Sequence, residues 1–259
     1  MSSILTCQDV SINFGGVKAV QNVSLEIQKG SVTSIIGPNG AGKTTFFNII
    51  SGVYKPTSGK VLFDGDDITN LSQHEVSRLG MARTFQNIRL FSQLDNVRNV
   101  QSALDARANY TMLEAILGLP RKRVEDRRNF EIAMECLDLV GLKEFAYDRP
   151  GSLPYGMQRK VELARALSSN PKLLLLDEPA AGLNPVEVED FIQLLRRIKD
   201  QRDLTILLIE HRLKVVTTLS DEVFVLNFGE LLTHGTPEEV QSNPKVIEAY
   251  MGEDEEEEE

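Results

Sequence analysis

Short apolar and alternating runs dominate the N-terminal part of the chain. Ile4–Phe14, Val23–Ile27 and Val61–Phe63 read as strands, punctuated by Gly15-Gly16, Lys29-Gly30 and Ser58-Gly59. Among them lies Val32–Ile36, apolar for most of its length and short enough to be a buried strand, followed by a helical stretch from Lys43 to Ser51. From about Gln73 to Asp148 the strand signals stop. Helical spacing takes over there, as in Ile132, Cys136, Leu139 and Val140, so this stretch reads as a helical insertion.

After Gly151 the two periods alternate again. The pattern predicts a helix from about Gly156 to Ser169, a strand at Leu173–Leu176 and a helix from about Pro185 to Asp200. Proline suits that helix start, because the missing N–H would be unpaired there anyway. A strand at Thr205–Ile209, a helix ending near Ser220, and strands near Val223–Leu226 and Glu230–Thr233 complete the series. Buried strands alternating with helices predict an α/β fold, a parallel sheet covered by helices. No internal repeat is seen.

The turn after Val32–Ile36 reads Gly37-Pro38-Asn39-Gly40-Ala41-Gly42-Lys43-Thr44-Thr45. This is the phosphate-binding pattern G-x-x-x-x-G-K-[ST], in the strand–turn–helix setting that gives it meaning. Gly37, Gly40 and Gly42 lack a Cβ, so the backbone can curl its N–H groups around phosphate oxygens. The following helix brings the positive end of its dipole to the same place. Lys43 supplies a charge for the β- and γ-phosphates, and the Thr44 hydroxyl is the expected Mg²⁺ ligand. These residues predict a nucleoside triphosphate site.

Composition narrows the setting. At 259 residues the chain can bury a sizeable core, and 41% hydrophobic with 25% charged residues is ordinary for a globular protein. No apolar run is long enough to span a bilayer, and the N-terminus carries no signal-peptide pattern. A net charge of −10 argues against a general nucleic-acid binder. Cys7 and Cys136 stand alone, which argues against a disulfide framework or a cysteine zinc site and for a reducing compartment. Residues 253–259 are almost wholly Glu and read as an acidic disordered tail. The mixed-charge run Arg121–Arg128 reads as a solvated helix face rather than a lipid contact.

Ligands of parallel sheets sit beyond the carboxyl ends of the strands. The strand Leu173–Leu176 ends there in Asp177-Glu178, and Thr205–Ile209 ends in Glu210-His211. An acid at the first of these ends holds Mg²⁺ in phosphate-loop enzymes, and a second can polarise the attacking water. Three distant segments thus converge on one predicted site. His74 and His234 have no such context and read as ordinary structural or surface histidines.

With these residues in hand, the chain resembles the ATP-binding cassette family over nearly its whole length. Phe14 stands where the family's aromatic stacks on adenine, and Gln86 in Arg83–Asn87 matches the glutamine that reaches Mg²⁺ and water. Leu153-Pro154-Tyr155-Gly156-Met157-Gln158 occupies the signature position, Ala181–Asn184 the dimer-contact loop, and His211 the switch histidine. Within the family, the segments Ala82–Phe91, Asp177–Pro185, Leu208–His211 and Gly235–Val240, with the ending through Gly252, resemble ATPase subunits of bacterial branched-chain amino acid uptake systems.

The resemblance implies a phosphate-loop fold with a RecA-like parallel-sheet core, an N-terminal antiparallel β subdomain and a helical subdomain at about 86–165, within a nucleotide-binding domain spanning 1–252. It implies an ATPase that uses ATP and Mg²⁺. Glu178, His211, Gln86 and Lys43 would act in hydrolysis, with Thr44, Gln86 and Asp177 around the metal. Phe14, Gly37 through Thr45 and, in trans, Gly156 would hold nucleotide. Implied partners are a second ATPase subunit, identical or related, two membrane permeases and, indirectly, an extracytoplasmic binding protein. The permeases would hold the chain at the cytoplasmic face of the inner membrane, through the region around Gln86–Asn96. No nucleic-acid partner is implied.

Departures from the family pattern are local. Pro154 stands where the signature usually has Ser, which removes a hydroxyl and an N–H together. Tyr155 replaces the first signature Gly, Met157 the Gln, and Asn184 the usual Asp of the dimer loop. Systems for urea or amides share much of the pattern, so the substrate stays open. Lipid or lipopolysaccharide export ATPases share the fold, but the ending and the Ala180–Pro185 stretch weigh against them. Cassettes acting on DNA or ribosomes usually add coiled-coil arms, a zinc module or a second cassette, none of which is seen here.

Overall fold

The computed structural model describes residues 2–105 and 120–256. Two sheets form its frame. The first is antiparallel, in the order β2-β1-β4-β5, from β1 (Ser3–Phe14), β2 (Val17–Gln28), β4 (Ser58–Phe63) and β5 (Asp66–Asp67). The second has the order β10-β9-β3-β8-β7-β6. Its strands are β3 (Val32–Ile36), β6 (Met81–Arg83), β7 (Leu173–Asp177), β8 (Thr205–Ile209), β9 (Glu222–Asn227) and β10 (Glu230–Gly235). All neighbours in this sheet run parallel except the edge pair β9–β10.

Nine α-helices among the described residues pack around these sheets: α1 (Lys43–Ile50), α2 (Gln73–Leu79), α3 (Asn96–Asp105), α4 (Pro120–Leu139), α5 (Tyr155–Ser168), α6 (Pro185–Arg202), α7 (Leu213–Leu219), α8 (Pro237–Gln241) and α9 (Pro244–Glu256). No described helix is long and apolar enough to cross a membrane. The last helix carries the first four residues of the expected acidic tail, 253–256, and residues 257–259 lie outside the described part. In α4 the charged run is mostly exposed and laced by the i,i+4 pairs Lys122–Asp126 and Arg127–Glu131; of its first residue, Arg121, only the helical backbone is described.

The central strands are apolar without alternation because both of their faces are covered. Successive side chains of a strand point to opposite sides. In β7, Leu174 and Leu176 join the core under α5 and α6, while Leu173 and Leu175 join the core shared with the antiparallel sheet and α1. Strand β8 divides the same way, Ile206 and Leu208 on one side, Leu207 and Ile209 on the other. Helices α3, α4 and α5 pack on one another through Val100, Ala133, Leu137, Val161 and Ala164. They form the helical subdomain.

One strand falls inside the stretch expected to be helical and strand-free. Three-residue β6 follows α2 at Gly80, and pairs Met81, Ala82 and Arg83 with Leu173, Leu174 and Leu175. A segment this short carries no period of its own; its partner strand dictates it.

Register places the functional segments. Ile35 lies opposite Ile209 in β8, and Ile209 lies opposite Asp177 in β7. The chain therefore leaves these neighbouring strands side by side, after Ile36 into Gly37, after Ile209 into Glu210 and after Asp177 into Glu178, with strands about 4.8 Å apart. On the far side of β7, Thr84 donates its N–H to the Leu175 carbonyl at 3.0 Å, which carries the chain from β6 toward Gln86 at the same edge.

Candidate functional site

The phosphate loop folds as its glycines dictate. Gly37 has φ +150° and a Cβ there would lie 2.0 Å from the Leu226 carbonyl oxygen; Gly42 has φ +93° and a Cβ there would lie 2.4 Å from the Ala19 carbonyl oxygen. Neither position admits a side chain. Gly42 is the N-cap of α1, and no side chain caps that helix. Its first N–H groups thus face the loop, where an anion is favoured. Lys43 is buried, and its Nζ donates to the carbonyls of Gly37 and Pro38, 2.6 Å each, drawing the loop into a closed ring. A cleft of about 470 Å³ opens over this loop. Asn39 to Thr45 line it on one side, Val17 to Ala19 and Phe228 on another, and Glu178 with His211 close it.

Glu178 is the centre of a three-residue cluster. Its Oε2 accepts from the Gln86 side-chain amide at 2.7 Å, and its Oε1 lies 2.9 Å from His211 Nε2. Residues 92 and 33 positions away in sequence thereby meet on one carboxylate. The backbone of Glu178 is left-handed, with φ +46°, a sparsely populated conformation for a residue with a side chain. Its N–H donates to the Ile209 carbonyl at 3.0 Å, which pins the strained turn to β8.

Asp177 sits one residue earlier, buried at the end of β7. Its Oδ2 is 2.8 Å from Nη2 of Arg83, with both side chains only 7% exposed. The same guanidinium donates to Asn48 Oδ1 at 2.7 Å and Ser51 Oγ at 2.9 Å, and lies between the Phe47 and Phe85 rings. Sequence reading missed this arginine. It fastens the acidic end of β7 to the C-terminal end of α1.

Gln86 is held from the other side by α5. Arg159, buried on that helix, donates from Nη1 to the Phe85 carbonyl at 2.8 Å and from Nη2 to the Gln86 carbonyl, and pairs with buried Glu162 at 3.2 Å. Burial raises the Glu162 carboxyl above its ordinary range, against the pull of Arg159. The helical subdomain thus grips the backbone of the residue that touches Glu178.

The site residues expected from sequence divide into two groups. Asn39 through Thr45, Glu178 and His211 line one cleft, and Gln86 reaches it through Glu178. Outside its lining are Gly37 and Pro38, at the base of the loop, and buried Asp177, together with Phe14 and Gly156. Phe14 lies at the end of β1 outside the lining, half-exposed, with its ring edge-on to Tyr54 at 5.3 Å. Gly156 lies in the first turn of α5, where a Cβ would come 2.9 Å from Glu187 Oε1. Before it stands Pro154, which caps α5 with no side-chain hydrogen bond. Tyr155 covers Gly182 of the loop that leads into α6. Asn184 caps α6, its Oδ1 accepting from Val186 and Glu187 N–H at 2.9 and 3.0 Å, while Glu187 returns the bond to Asn184. Phe228, 81% exposed at the cleft rim, carried no readable sequence signal.

Comparison with known proteins shows what the chain is similar to. A family model described as ABC transporter matches residues 20–181, and one described as branched-chain amino acid ATP-binding cassette transporter matches residues 230–256. The chain is 44% identical over 250 residues to the high-affinity branched-chain amino acid transport ATP-binding protein BraF of Pseudomonas aeruginosa, covering 96% of this chain and 98% of that protein. It superposes with a TM-score of 0.84 and 32% identity on the crystal structure of the ADP conformation of MJ1267, an ATP-binding cassette of an ABC transporter, over 97% and 100% of the two chains. A dimeric structure of the cassette MJ0796, in a post-hydrolysis state bound to ADP and Pi, matches with a TM-score of 0.76 and 28% identity over 90% and 99%.

Proposed function

The chain belongs to the ATP-binding cassette family of transporter ATPases, and from that premise we propose that it powers uptake of branched-chain or related amino acids. The observation that carries the hydrolytic part of this reading is the Glu178 carboxylate, bonded to Gln86 and His211 on the wall of the phosphate-loop cleft. The match of residues 230–256 to the branched-chain model supports the substrate class.

In this reading the phosphate loop and the uncapped start of α1 bind the triphosphate, and Lys43 neutralises charge on its β- and γ-phosphates. Glu178 accepts a hydrogen bond from the attacking water and aims it at the γ-phosphorus. His211 steadies Glu178 and the γ-phosphate, and Gln86 reports their presence to the helical subdomain. Catalysis of this kind rests on positioning and electrostatics.

The residues present fit Mg²⁺, a hard cation that takes oxygen ligands. The Thr44 hydroxyl, an Asp177 carboxylate oxygen and the Gln86 amide oxygen would hold it, the last because the Gln86 amide nitrogen already faces Glu178. Bound there, the ion would neutralise charge between the β- and γ-phosphates.

Phe14 at the end of β1 would meet the adenine after a rotation away from Tyr54. Gly156, which does not line the chain's own cleft, would serve the nucleotide of a second cassette. The working form is accordingly a pair, of identical or related ATPases, seated on two permeases at the cytoplasmic membrane face and served by an extracytoplasmic binding protein.

The test is uptake of labelled leucine, urea and other candidates by cells with and without this subunit, or carrying Glu178→Gln. Leucine uptake that depends on the wild-type subunit supports the proposal. Leucine uptake unchanged by its loss, with uptake of another substrate abolished, would redirect the substrate assignment.

A further inference from the structure

Glu210 precedes the switch histidine and is only 2% exposed, yet it carries a carboxylate. A carboxylate buried this deeply is costly unless its oxygens are bonded. Its partners are all backbone N–H groups, drawn from two separate loops. Oε1 accepts from Ala180 N–H at 2.9 Å, in the turn just after Glu178-Pro179. Oε2 accepts from His211 N–H at 3.1 Å and Arg212 N–H at 3.2 Å. One side chain therefore ties the turn carrying Glu178 to the turn carrying His211.

A second tie runs parallel to the first. Arg212 donates from Nη1 to the Leu183 carbonyl at 3.0 Å, at the far end of the 180–183 loop. Glu178 and His211 in turn meet each other at 2.9 Å. The two turns are thus joined at three points, and of these bonds only Glu210 to Ala180 is buried.

We propose that Glu210 is a positioning residue of the hydrolytic site, holding Glu178 and His211 in register so that motion of the 180–183 loop moves both together. This rests on the reading of Glu178 and His211 as the hydrolytic pair. A carboxylate is required because it presents acceptors in both directions. Gln in its place would aim an N–H₂ donor at one set of backbone donors and leave that turn unfastened.

The test compares wild-type, Glu210→Gln and Glu210→Asp as the full chain with its partner subunits. Steady-state ATPase rates are measured together with the imidazole NMR signals of the chain's three histidines. The expected result for Glu210→Gln is a fall in kcat of about tenfold or more with little change in the KM for ATP, matching a displaced group of roughly 1.4 kcal/mol or more in the transition state. The His211 signal shifts while those of His74 and His234 stay in place, which a general loss of stability would not produce. Glu210→Asp keeps both acceptors on a shorter stem and gives a smaller loss with the same selective shift, and it decides the matter if Glu210→Gln does not fold. Wild-type kcat with an unmoved His211 signal in the folded variants overturns the proposal. Should Glu178→Gln in the same assay retain full turnover, it is the hydrolytic reading that fails instead.

Discussion

Replacing Arg83 by Met is expected to unfasten the end of β7 from α1. The guanidinium and the Asp177 carboxylate are each 7% exposed and 2.8 Å apart, so removing one leaves the other charged, buried and unpaired. Breaking such a pair costs about 3–5 kcal/mol. Asn48 Oδ1 and Ser51 Oγ lose a donor as well, at 2.7 and 2.9 Å, which puts the expectation at the upper part of that range. For a chain of this size each kcal/mol moves the melting midpoint by about 2–4 °C, so the upper part of the range, about 4–5 kcal/mol, gives an expected fall of about 8–20 °C. The double variant Arg83→Met, Asp177→Leu should be less damaged than the single one, because a well-packed apolar pair often replaces a buried ion pair at little cost. Thermal melts followed by far-UV circular dichroism give both numbers. A shift below about 2 °C for Arg83→Met, or strictly additive losses in the double variant, would refute the idea that the pair holds these elements together.

Gly42→Ala is expected to lower ATP affinity by at least about tenfold in titration calorimetry, since a left-handed residue with a Cβ costs about 1–2 kcal/mol before its clash with the Ala19 carbonyl is counted; wild-type affinity would mean the loop relaxes freely. Asp64, bonded to Lys172 and Lys29 at 2.6 Å each, has its carboxyl lowered from 3.8 to about 2. A depressed acid stabilises the fold above its unfolded value and loses that contribution as pH falls through its folded value. The destabilisation caused by Asp64→Asn should therefore be full above about pH 4, shrink between 4 and 2, and weaken in high salt; melts across that range check it, and a pH-independent difference would contradict it.

Much of the frame was legible because its strands bury both faces. Val32–Ile36 and Thr205–Ile209 read in sequence at the bounds they have in the structure, as apolar runs closed by turn residues. The strand read as Val23–Ile27 is longer, Val17–Gln28, because its first residues are exposed and a left-handed Asn22 interrupts its alternation. Helix α8 went unread although its start carries a capping box, Thr236 with Glu239, and Pro237 at the first position. The acid pair and the histidine were placed by the ends of their strands. What joins them was not legible. Gln86 to Glu178, Arg83 to Asp177 and Glu210 to Ala180 are contacts between segments 92, 94 and 30 residues apart, created by strand register rather than local spacing.

We propose that Glu178, held between Gln86 and His211, aims the water that cleaves ATP. A single-turnover measurement on the assembled ATPase carrying Glu178→Gln tests it most directly. Gln keeps the shape of the side chain but removes its ability to take a proton, and such groups contribute about 10²- to 10⁴-fold. The expected result is hydrolysis slowed by that factor while ATP binds with undiminished affinity. Hydrolysis at the wild-type rate would contradict this role of Glu178.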